Sequence, residues 1–312
     1  MSTNHTEKTA SNASIFQRPL WVSLLALTAA TAWGWAYPLI KLGFAEFGIT
    51  QTMTGSKMLF AGIRFTLSGL IVLIIAATTK RKFHVSKPTD WSYILIFALL
   101  NTTLHYTFFY IGMSYSEGAR AAILNSLGTF TLVLLACLFF KSDRLTPQKI
   151  LGCCIGIMGL LVLNIGESGS EKFTFMGDGM IVLNTLCSAA AGLMTRGLSR
   201  RVDVFVGIGY SLFFGGILLI IPSLFMQGAL PHLTANGLII LGALISISAL
   251  GFTLYNKLIS CNPVGKVAIF NSLIPIVGAV TSCLCLNEPF YTKYLIAALL
   301  AMSGIYIINK GK

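Results

Sequence analysis

Two stretches of the sequence, residues 120–127 (RAAILNSL) and 266–273 (KVAIFNSL), repeat one pattern at a spacing of 146 residues. Each begins with a basic residue and ends in Asn-Ser-Leu. The likeness continues on both sides, between residues 110–164 and residues 255–309. Matches on this scale between two hydrophobic segments indicate an internal repeat, so the chain is predicted to consist of two related halves.

The composition around the repeat is that of a membrane protein. Of the 312 residues, 55% are hydrophobic and 10% are charged, and the mean hydropathy is +0.80. Soluble domains carry about 25% charged residues, so this chain has too few polar side chains to cover a soluble core. Ten apolar stretches of bilayer-spanning length are predicted, at residues 20–41, 57–78, 91–112, 118–139, 147–165, 177–196, 203–226, 235–257, 265–286 and 292–309.

The predicted helices group into two halves of five, at residues 20–165 and 177–309, after an N-terminal tail at residues 1–19. Because five is an odd number, the second half enters the membrane from the side opposite to the first. We therefore predict an all-α polytopic membrane protein of two inverted repeats. In carriers, this architecture exposes one central site alternately to the two sides.

The basic residues are unevenly shared between the two sides of the membrane. The chain has 22 Lys and Arg residues against 10 Asp and Glu residues. With the helices placed as above, sixteen of the 22 fall on the side of the N-terminus and five on the other side. This excess predicts that both termini are cytoplasmic, and it explains the net charge of +12 by membrane orientation rather than by a nucleic-acid partner.

Several short motifs follow one another in an order typical of a known family. They are Trp33-Gly34 with Lys41, Arg64-Phe65, Gly118-Ala119-Arg120-Ala121-Ala122, Asp143-Arg144-Leu145, Pro275, and Leu286-Asn287-Glu288-Pro289. Together with the duplication, they make residues 20–310 resemble the EamA-type transporters of the drug/metabolite transporter superfamily. The resemblance implies a ten-helix secondary carrier of amino acids and other small metabolites in a bacterial plasma membrane. It also implies a central cavity lined by helices 1, 3, 4, 6, 8 and 9.

Two positions depart from the family pattern. Thr129 stands where the first half usually has a proline in helix 4, and Asp143 stands where the next loop usually has Glu. We therefore expect helix 4 to be straighter than is typical, with the carbonyl of Asn125 bonded to position 129. In helix 9, Pro275 instead frees the carbonyl of Asn271. The two Asn residues are equivalent in the repeat and are predicted to line the site near the midplane.

Helix 1 supplies the first candidate cavity residues. Trp33, Tyr37 and Lys41 are spaced by four residues and share one face, with Trp35 nearby. Pro38 kinks the helix and frees a carbonyl oxygen that could bind a ligand donor. Pro38 and Lys41 are also candidates for gating. A lipid-facing kink with aromatic packing is the other interpretation of these residues.

Arg64 is the candidate anion-binding residue. It lies seven residues inside Lys57, or about 10 Å along helix 2 at about 1.5 Å per residue. A guanidinium at that depth costs roughly 2.5 to 3.5 kcal/mol unless it faces protein or water. Arg64 is predicted either to bind a substrate carboxylate bidentately or to contact carbonyls at a helix end.

Polar residues also mark helices 3 and 6. Asn101, His105 and Tyr110 are the candidates in helix 3, and Asn184 and Ser188 are the candidates in helix 6. Polar side chains in a lipid-embedded helix face either a cavity or a neighbouring helix. His105 is in addition the candidate for proton coupling, with simple packing as the alternative.

The repeat provides the remaining candidates. Arg120 and Lys266 lie in the first turns of helices 4 and 9, where the helix dipole disfavours cations. Inversion would place them near opposite faces of the membrane, where they could act as mirrored gates. Glu117 is the predicted partner of Arg120 at a spacing of three residues. Tyr255 is the helix 8 candidate for the cavity.

The predicted function is export of small polar metabolites, such as amino acids, by alternating access. A carboxylate on the substrate, proton coupling, and the choice between monomer and homodimer are left open, and no cofactor or metal is expected. A channel-like facilitator lined by the same residues is the first alternative, and a membrane receptor or enzyme is the second. The sequence has no P-loop and no common hydrolase motif. It also has no acidic residue mid-membrane, which argues against cation/proton antiport through a buried carboxylate.

Overall fold

A computed structural model describes residues 15–85, 87–139, 145–163, 173–262, 267 and 269–310. Over these residues the chain is helical, with no strand. The α-helices are α1 (Pro19–Glu46), α2 (Thr54–Thr78), α3 (Pro88–Ala98), α4 (His105–Tyr115), α5 (Gly118–Asn125), α6 (Leu127–Phe139), α7 (Pro147–Val162), α8 (Met180–Leu198), α9 (Val204–Phe225), α10 (Ala235–Cys261), α11 (Ile274–Leu286) and α12 (Thr292–Lys310).

Several of these helices form continuous segments that are long and apolar enough to cross a membrane. Seven such segments are found in the described part of the chain: Pro19–Glu46, Thr54–Thr78, Pro88–Tyr115, Gly118–Phe139, Phe175–Thr195, Val204–Phe225 and Ala235–Ile259. Phe270–Leu286 and Thr292–Ile308 are shorter apolar helices. The third and fourth segments each combine two consecutive helices.

The helix boundaries follow from local sequence. Pro147 occupies the first turn of α7, where its missing N–H costs nothing, and the Thr146 side chain accepts a hydrogen bond from the N–H of Lys149. The side chain of Asp203 caps α9 in the same way. The first helix runs beyond the predicted end at Lys41 to Glu46, and it ends just before Gly48, whose φ is +68°.

Helices of the first half pack against helices of the second half in a symmetric pattern. α2 packs along α9, and α7 packs along α12. α1 packs against α10 and α11, and α8 packs correspondingly against α4 and α6. The elements that contact α1 therefore have counterparts, one repeat earlier, that contact α8.

Small residues allow the two outer helix pairs to approach closely. A Cβ on Gly69 of α2 would meet the backbone nitrogen of Phe213 at 2.3 Å. Between α7 and α12, a Cβ on Gly152 would meet the carbonyl oxygen of Gly304 at 2.7 Å. Because lipid gives no hydrophobic drive for helix association, such backbone proximity is the main source of dispersion contact between membrane helices. Gly152 and Gly156 form a Gly-x-x-x-Gly motif in α7, and this motif therefore packs against a helix of the same chain.

Three helices are interrupted near the middle of the bundle. A π-helical turn at Leu99–Leu104 separates α3 from α4, and a 3₁₀ turn at Ile269–Leu273 precedes α11. The fourth predicted helix, residues 118–139, is broken at Ser126, between α5 and α6, although it lacks a proline.

The break at Ser126 corrects the expectation that the fourth predicted helix, residues 118–139, is regular because it has Thr129 in place of a proline. The N–H of Thr129 donates to the carbonyl of Ser126 at 3.0 Å, not to that of Asn125. The hydroxyl of Ser126 donates to the carbonyl of Ile123 at 2.7 Å, which competes with the regular helical ladder. Both repeats are therefore interrupted beside their equivalent Asn residues.

Candidate functional site

A cavity of about 200 Å³ lies among α1, α2, α4 and α10. Its walls are mostly aromatic, and we call it the aromatic chamber. It is lined by Trp33, Ala36, Tyr37, Ile40, Arg64, His105, Tyr106, Phe109, Asn125, Phe252 and Ile274. This lining has aromatic side chains from three helices and one permanent charge.

A second cavity of about 190 Å³ adjoins the first, and we call it the polar chamber. It shares Tyr37, Asn125 and Ile274 with the aromatic chamber. Its other lining residues are Ala122, Ser126, Gly128, Thr129, Leu132, Ser188, Asn271, Pro275 and Ile305. Both interrupted helices of the repeat therefore contribute to it.

A chain of hydrogen bonds marks the boundary between the two chambers. Asn125 donates from Nδ2 to the hydroxyl oxygen of Tyr37 at 2.8 Å, and it accepts at Oδ1 from Nδ2 of Asn184 at 2.6 Å. Oδ1 of Asn184 is buried and has no hydrogen-bond partner in the described structure. This arrangement connects α1, α5 and α8 and leaves an acceptor oxygen unused.

Arg64 is buried in the wall of the aromatic chamber. It donates from Nε to the hydroxyl of Ser248 at 3.0 Å and from Nη1 to the hydroxyl of Tyr110 at 2.9 Å. Its guanidinium carbon lies 4.8 Å from the ring centroid of Phe65. Among the described residues, no carboxylate pairs with Arg64 and nothing bonds its Nη2. Its charge is therefore held by neutral groups.

His105 and Tyr106 stand beside Arg64 in the same wall. Nδ1 of His105 is buried and forms no hydrogen bond in the described part of the chain. Tyr106 stacks on Phe65 with ring centroids 3.8 Å apart, and its hydroxyl bonds to none of the described residues. Two polar groups in the wall that contains Arg64 therefore have no hydrogen-bond partner among the described residues.

The second half closes the chamber with aromatic residues. Trp33 packs edge to face against Phe252 and Tyr255, with centroid distances of 5.6 and 5.3 Å. Its indole fits over Gly251, where a Cβ would lie 2.6 Å from Nε1. Tyr255 accepts a hydrogen bond from Nδ2 of Asn271 at 2.9 Å. The position of Trp33 is thus fixed by α10.

At one end of the bundle a buried ion pair joins the two halves. Arg120 donates from Nε to Oδ1 of Asp178 at 2.9 Å and from Nη2 to Oδ2 at 2.8 Å. It also donates to the carbonyl of Leu163, and Asp178 accepts from Ser116. We call this the Asp178 end. The predicted partner of Arg120, Glu117, instead accepts from the hydroxyl of Tyr294.

A second ion pair lies at the Asp178 end. Lys41 is 2.9 Å from Oε1 of Glu288, which also accepts from the N–H of Gly118. The other carboxylate oxygen of Glu288 accepts from the N–H of Ala119. Glu288 therefore ties the end of α1 to the first turn of α5. Lys41 lies one helical turn beyond Tyr37, so this contact covers the chambers on that side.

The other predicted residues are distributed as follows. Trp35 is exposed at the outer surface, and Pro38 is buried inside α1. Asn101 donates to Ser211 of α9 and does not line either chamber. Tyr110 accepts a hydrogen bond from Arg64 but does not itself line either chamber. Among the residues singled out from the sequence, Lys266, Asp143 and Arg144 lie outside the described residues.

Several residues that the structure brings to the site or its closed end were not among the sequence candidates, and four of them have aromatic or charged side chains. Phe109 lies one turn after His105 on the same helical face, a spacing that the sequence contains. Asp178 is an acidic residue at the edge of an apolar segment, which is a second usable signal. Tyr106 lies just beside the polar face of Asn101 and His105, which is a third usable signal. Phe252 reaches the chamber through tertiary packing, for which the sequence carries no local signal. In the described part of the chain, no cluster of His, Cys, Asp and Glu could hold a metal ion.

The two halves match one protein family separately. Residues 20–165 and residues 175–310 each match the EamA-like transporter family. The chain belongs to the EamA-like transporter family. This assignment rests on most of its length and confirms the resemblance noted in the sequence.

Related proteins agree with the EamA-like assignment. "Uncharacterized transporter YvbV" of Bacillus subtilis is 26% identical, with 92% of this chain and 91% of that protein aligned. "Probable amino-acid metabolite efflux pump" of Salmonella typhimurium is 25% identical, with 91% of this chain and 93% of that protein aligned. A crystal structure is similar with a TM-score of 0.66, covering 92% of this chain and 95% of that chain. Its 15% sequence identity makes this a likeness of fold.

These findings establish the class of the EamA-like protein. It is a multi-pass helical membrane protein of a transporter family. The family and its named relatives are transporters rather than enzymes. A small-molecule substrate and a lipid environment follow from that class.

Proposed function

We propose that this protein is a secondary carrier that exports small carboxylate-bearing metabolites, the class that includes amino acids, across a bacterial plasma membrane. The observation that carries the proposal is Arg64. It is a buried guanidinium in the wall of the aromatic chamber, and its described partners are neutral hydroxyl groups. A carboxylate matches the planar geometry and the charge of a guanidinium and can accept two parallel hydrogen bonds from it.

The proposed topology has ten helices in two inverted repeats, with both termini in the cytoplasm. Support comes from the symmetric packing of α1 and α8 and from the basic residues on the side of the N-terminus. In this orientation the Asp178 end is extracellular. Transport then proceeds by alternating access, in which the halves rock about the two chambers.

The site residues have distinct proposed roles. Arg64 holds the carboxylate, while Trp33, Tyr37 and Asn125 surround the rest of the substrate. Lys41 and Arg120 form the extracellular gate through their ion pairs with Glu288 and Asp178. This state is closed at the Asp178 end, because those pairs join the two halves there. Opening that end requires both pairs to separate.

Two further groups have proposed roles inside the protein. Ser188, Asn271 and Pro275 contribute to the polar chamber, where backbone oxygens freed by interrupted helices offer acceptors. Asn184 and Tyr255 position the two Asn residues of the repeat. Substrate would pass between the chambers by breaking the bond between Asn125 and Tyr37.

Counterflow in proteoliposomes tests the carrier proposal. Vesicles containing purified protein are loaded with a pooled mixture of unlabelled carboxylates, and uptake of labelled compounds is followed without an ion gradient. Saturable exchange is expected, because a carrier moves bound substrate in both directions. Solute flux without saturation or exchange would favour a channel-like facilitator.

The same assay tests the role of Arg64. Arg64→Ala should reduce counterflow of carboxylates at least a hundredfold while protein abundance falls far less. Arg200→Ala is the control, because Arg200 is an arginine exposed at the surface and lines neither chamber. Equal losses of abundance and exchange in Arg64→Ala would assign Arg64 to structure.

A further inference from the structure

We infer that the aromatic chamber selects monocarboxylates that have one aromatic ring and no ammonium group beside the carboxylate. This inference rests on the proposed carrier function and narrows its substrate class. It separates aromatic acids from free amino acids, which share the carboxylate but carry a positive charge next to it.

The charge of the lining is the first argument. Among the described residues, Arg64 is the one permanently charged residue that lines the aromatic chamber, and none of the described lining residues is Asp or Glu. The described contacts of its guanidinium are two hydroxyl groups and the ring of Phe65. The α-ammonium of an amino acid would lie within a few ångströms of Arg64, with no carboxylate in the lining to offset the repulsion.

The donors beside Arg64 are the second argument. Nη2 of Arg64 has no described partner, and the hydroxyl of Tyr106 is equally without one. Stacking on Phe65 holds the ring of Tyr106 in place. A guanidinium N–H and a phenolic O–H can donate to the two oxygens of one carboxylate. Both groups favour an acceptor-only ligand.

The shape of the chamber is the third argument. Trp33 and Phe252 face the cavity from α1 and α10, and Tyr37 and Phe109 form another pair with centroids 5.6 Å apart. Aromatic rings prefer offset or edge-to-face contact with such walls. An apolar cavity of roughly 150 Å³ holds benzene. The volume of about 200 Å³ therefore accommodates one ring and a short acid chain.

A cation held over the aromatic faces is the competing occupant. Aromatic cages do bind ammonium groups, but those cages lack a guanidinium in their wall. Here the rings already meet one another edge to face, as Trp33 does with Tyr255 at an interplanar angle of 64°. Their electron-rich faces are partly covered by neighbouring ring edges, which weakens attraction for a cation.

Equilibrium binding to the purified full-length protein in lipid nanodiscs tests the inference. Four probes differ by single groups: 3-phenylpropanoate, phenylalanine, phenethylamine and propanoate. Titration calorimetry should give 3-phenylpropanoate at least tenfold tighter binding than phenylalanine or propanoate, with the weakest binding for phenethylamine. Phenylalanine binding as tightly as 3-phenylpropanoate, or propanoate doing so, would overturn the inference. Tightest binding by phenethylamine would also overturn it in favour of the cation cage.

Two variants connect the preference to the chamber. Trp33→Leu should weaken 3-phenylpropanoate binding at least tenfold and propanoate binding less than threefold, whereas Trp21→Leu, an exposed tryptophan of the same helix, should change neither. Gly251→Ala displaces the Trp33 indole without removing a ring, and it should give the same pattern more weakly. Equal weakening of both ligands in these variants contradicts an aromatic subsite.

The binding assay also separates this inference from the carrier proposal. The predicted binding order without counterflow would contradict the carrier and leave the substrate class intact. Counterflow of free amino acids without preference for aromatic acids would support the carrier and overturn the substrate class.

Discussion

The two ends of the helix bundle are each joined by ion pairs between the first and second halves, but these pairs differ in burial. At the Asp178 end, the side chains of Arg120 and Asp178 are 3% and 2% exposed. At the opposite end, Arg81 pairs with Asp203 at 3.3 Å, with side chains 30% and 25% exposed. We call this opposite end the Asp203 end; it also contains a pair between Arg201 and Asp90.

The difference in burial indicates different energetic roles. An exposed pair is screened by water and contributes about 0 to 1 kcal/mol. Removing one partner of a buried pair leaves an uncompensated charge and costs about 3 to 5 kcal/mol. The Asp178 end is thus held in one arrangement, while the pairs of the Asp203 end can separate at little cost. In an alternating-access cycle, the ion pairs at the Asp178 end must separate before that end can open. The pairs at the Asp203 end offer little resistance to opening.

The largest expected effect is that of Asp178→Asn. This change leaves Arg120 buried without its carboxylate, so the free energy of unfolding should fall by about 3 to 5 kcal/mol. Unfolding in a denaturing detergent titration measures it. The matched control is Asp203→Asn, in which asparagine still caps α9 and the loss should be about 0 to 1 kcal/mol. Equal losses in the two variants would remove the distinction between the ends.

An intermediate effect is expected for Glu288→Gln. Glutamine has one acceptor oxygen, so it cannot pair with Lys41 or accept from both Gly118 and Ala119. The loss of stability should be about 1 to 2 kcal/mol, because the Lys41 side chain is 24% exposed and the pair is only partly buried. The larger consequence should be easier opening of the Asp178 end.

Thiol labelling measures that opening. In a variant without the seven native cysteines, Ile40→Cys places a thiol beneath the pair, at a position that is fully buried in this state. Adding Glu288→Gln should raise the labelling rate by a membrane-impermeant reagent severalfold. Asp90→Asn, at the Asp203 end, should leave the rate unchanged. No increase with Glu288→Gln would show that this pair does not gate access.

The smallest effect is expected for Arg201→Gln. Arg201 pairs with Asp90 at 3.3 Å, and its guanidinium lies 4.0 Å from the ring centroid of Tyr93. The stability loss should be below about 1 kcal/mol and should shrink further as salt rises, because salt ions in the surrounding water weaken the attraction between partly exposed charges. Detergent titrations at two salt concentrations measure it. A salt-independent loss of several kcal/mol would mean that this end is as rigid as the other.

The same comparison shows what the sequence could and could not predict about the gate. Arg120 was identifiable because a cation in the first turn of a helix opposes the dipole and requires an explanation. Its partner was not, because Glu117 lies nearby in sequence and Asp178 lies 58 residues away. Helical spacing in the sequence can identify only those partners that lie within one or two turns of the same helix. The choice between them depends on how α8 packs against α5.

The cavity residues show a second limit. The spacing of four residues between Asn101 and His105 predicts one shared face in a regular α-helix. The π turn at Leu99–Leu104 widens the helix between them, so His105 faces the chamber while Asn101 bonds to Ser211. Apolar length and Pro positions predicted most helices, since these depend on local sequence. The rotation of each helix depends on such irregular turns and on tertiary contacts.

The bond between Arg64 and Ser248 also bears on biosynthesis. The two residues are 184 positions apart, which at roughly 5 to 20 residues per second corresponds to about 10 to 40 s of translation. During that interval the nascent first half must keep a guanidinium in the bilayer without its α10 partner. Tyr110, which is made much earlier, is the partner available in the meantime. Until α10 is made, Tyr110 is therefore the hydrogen-bond partner on which the guanidinium of Arg64 depends. Completion of the second half adds Ser248 as its second partner.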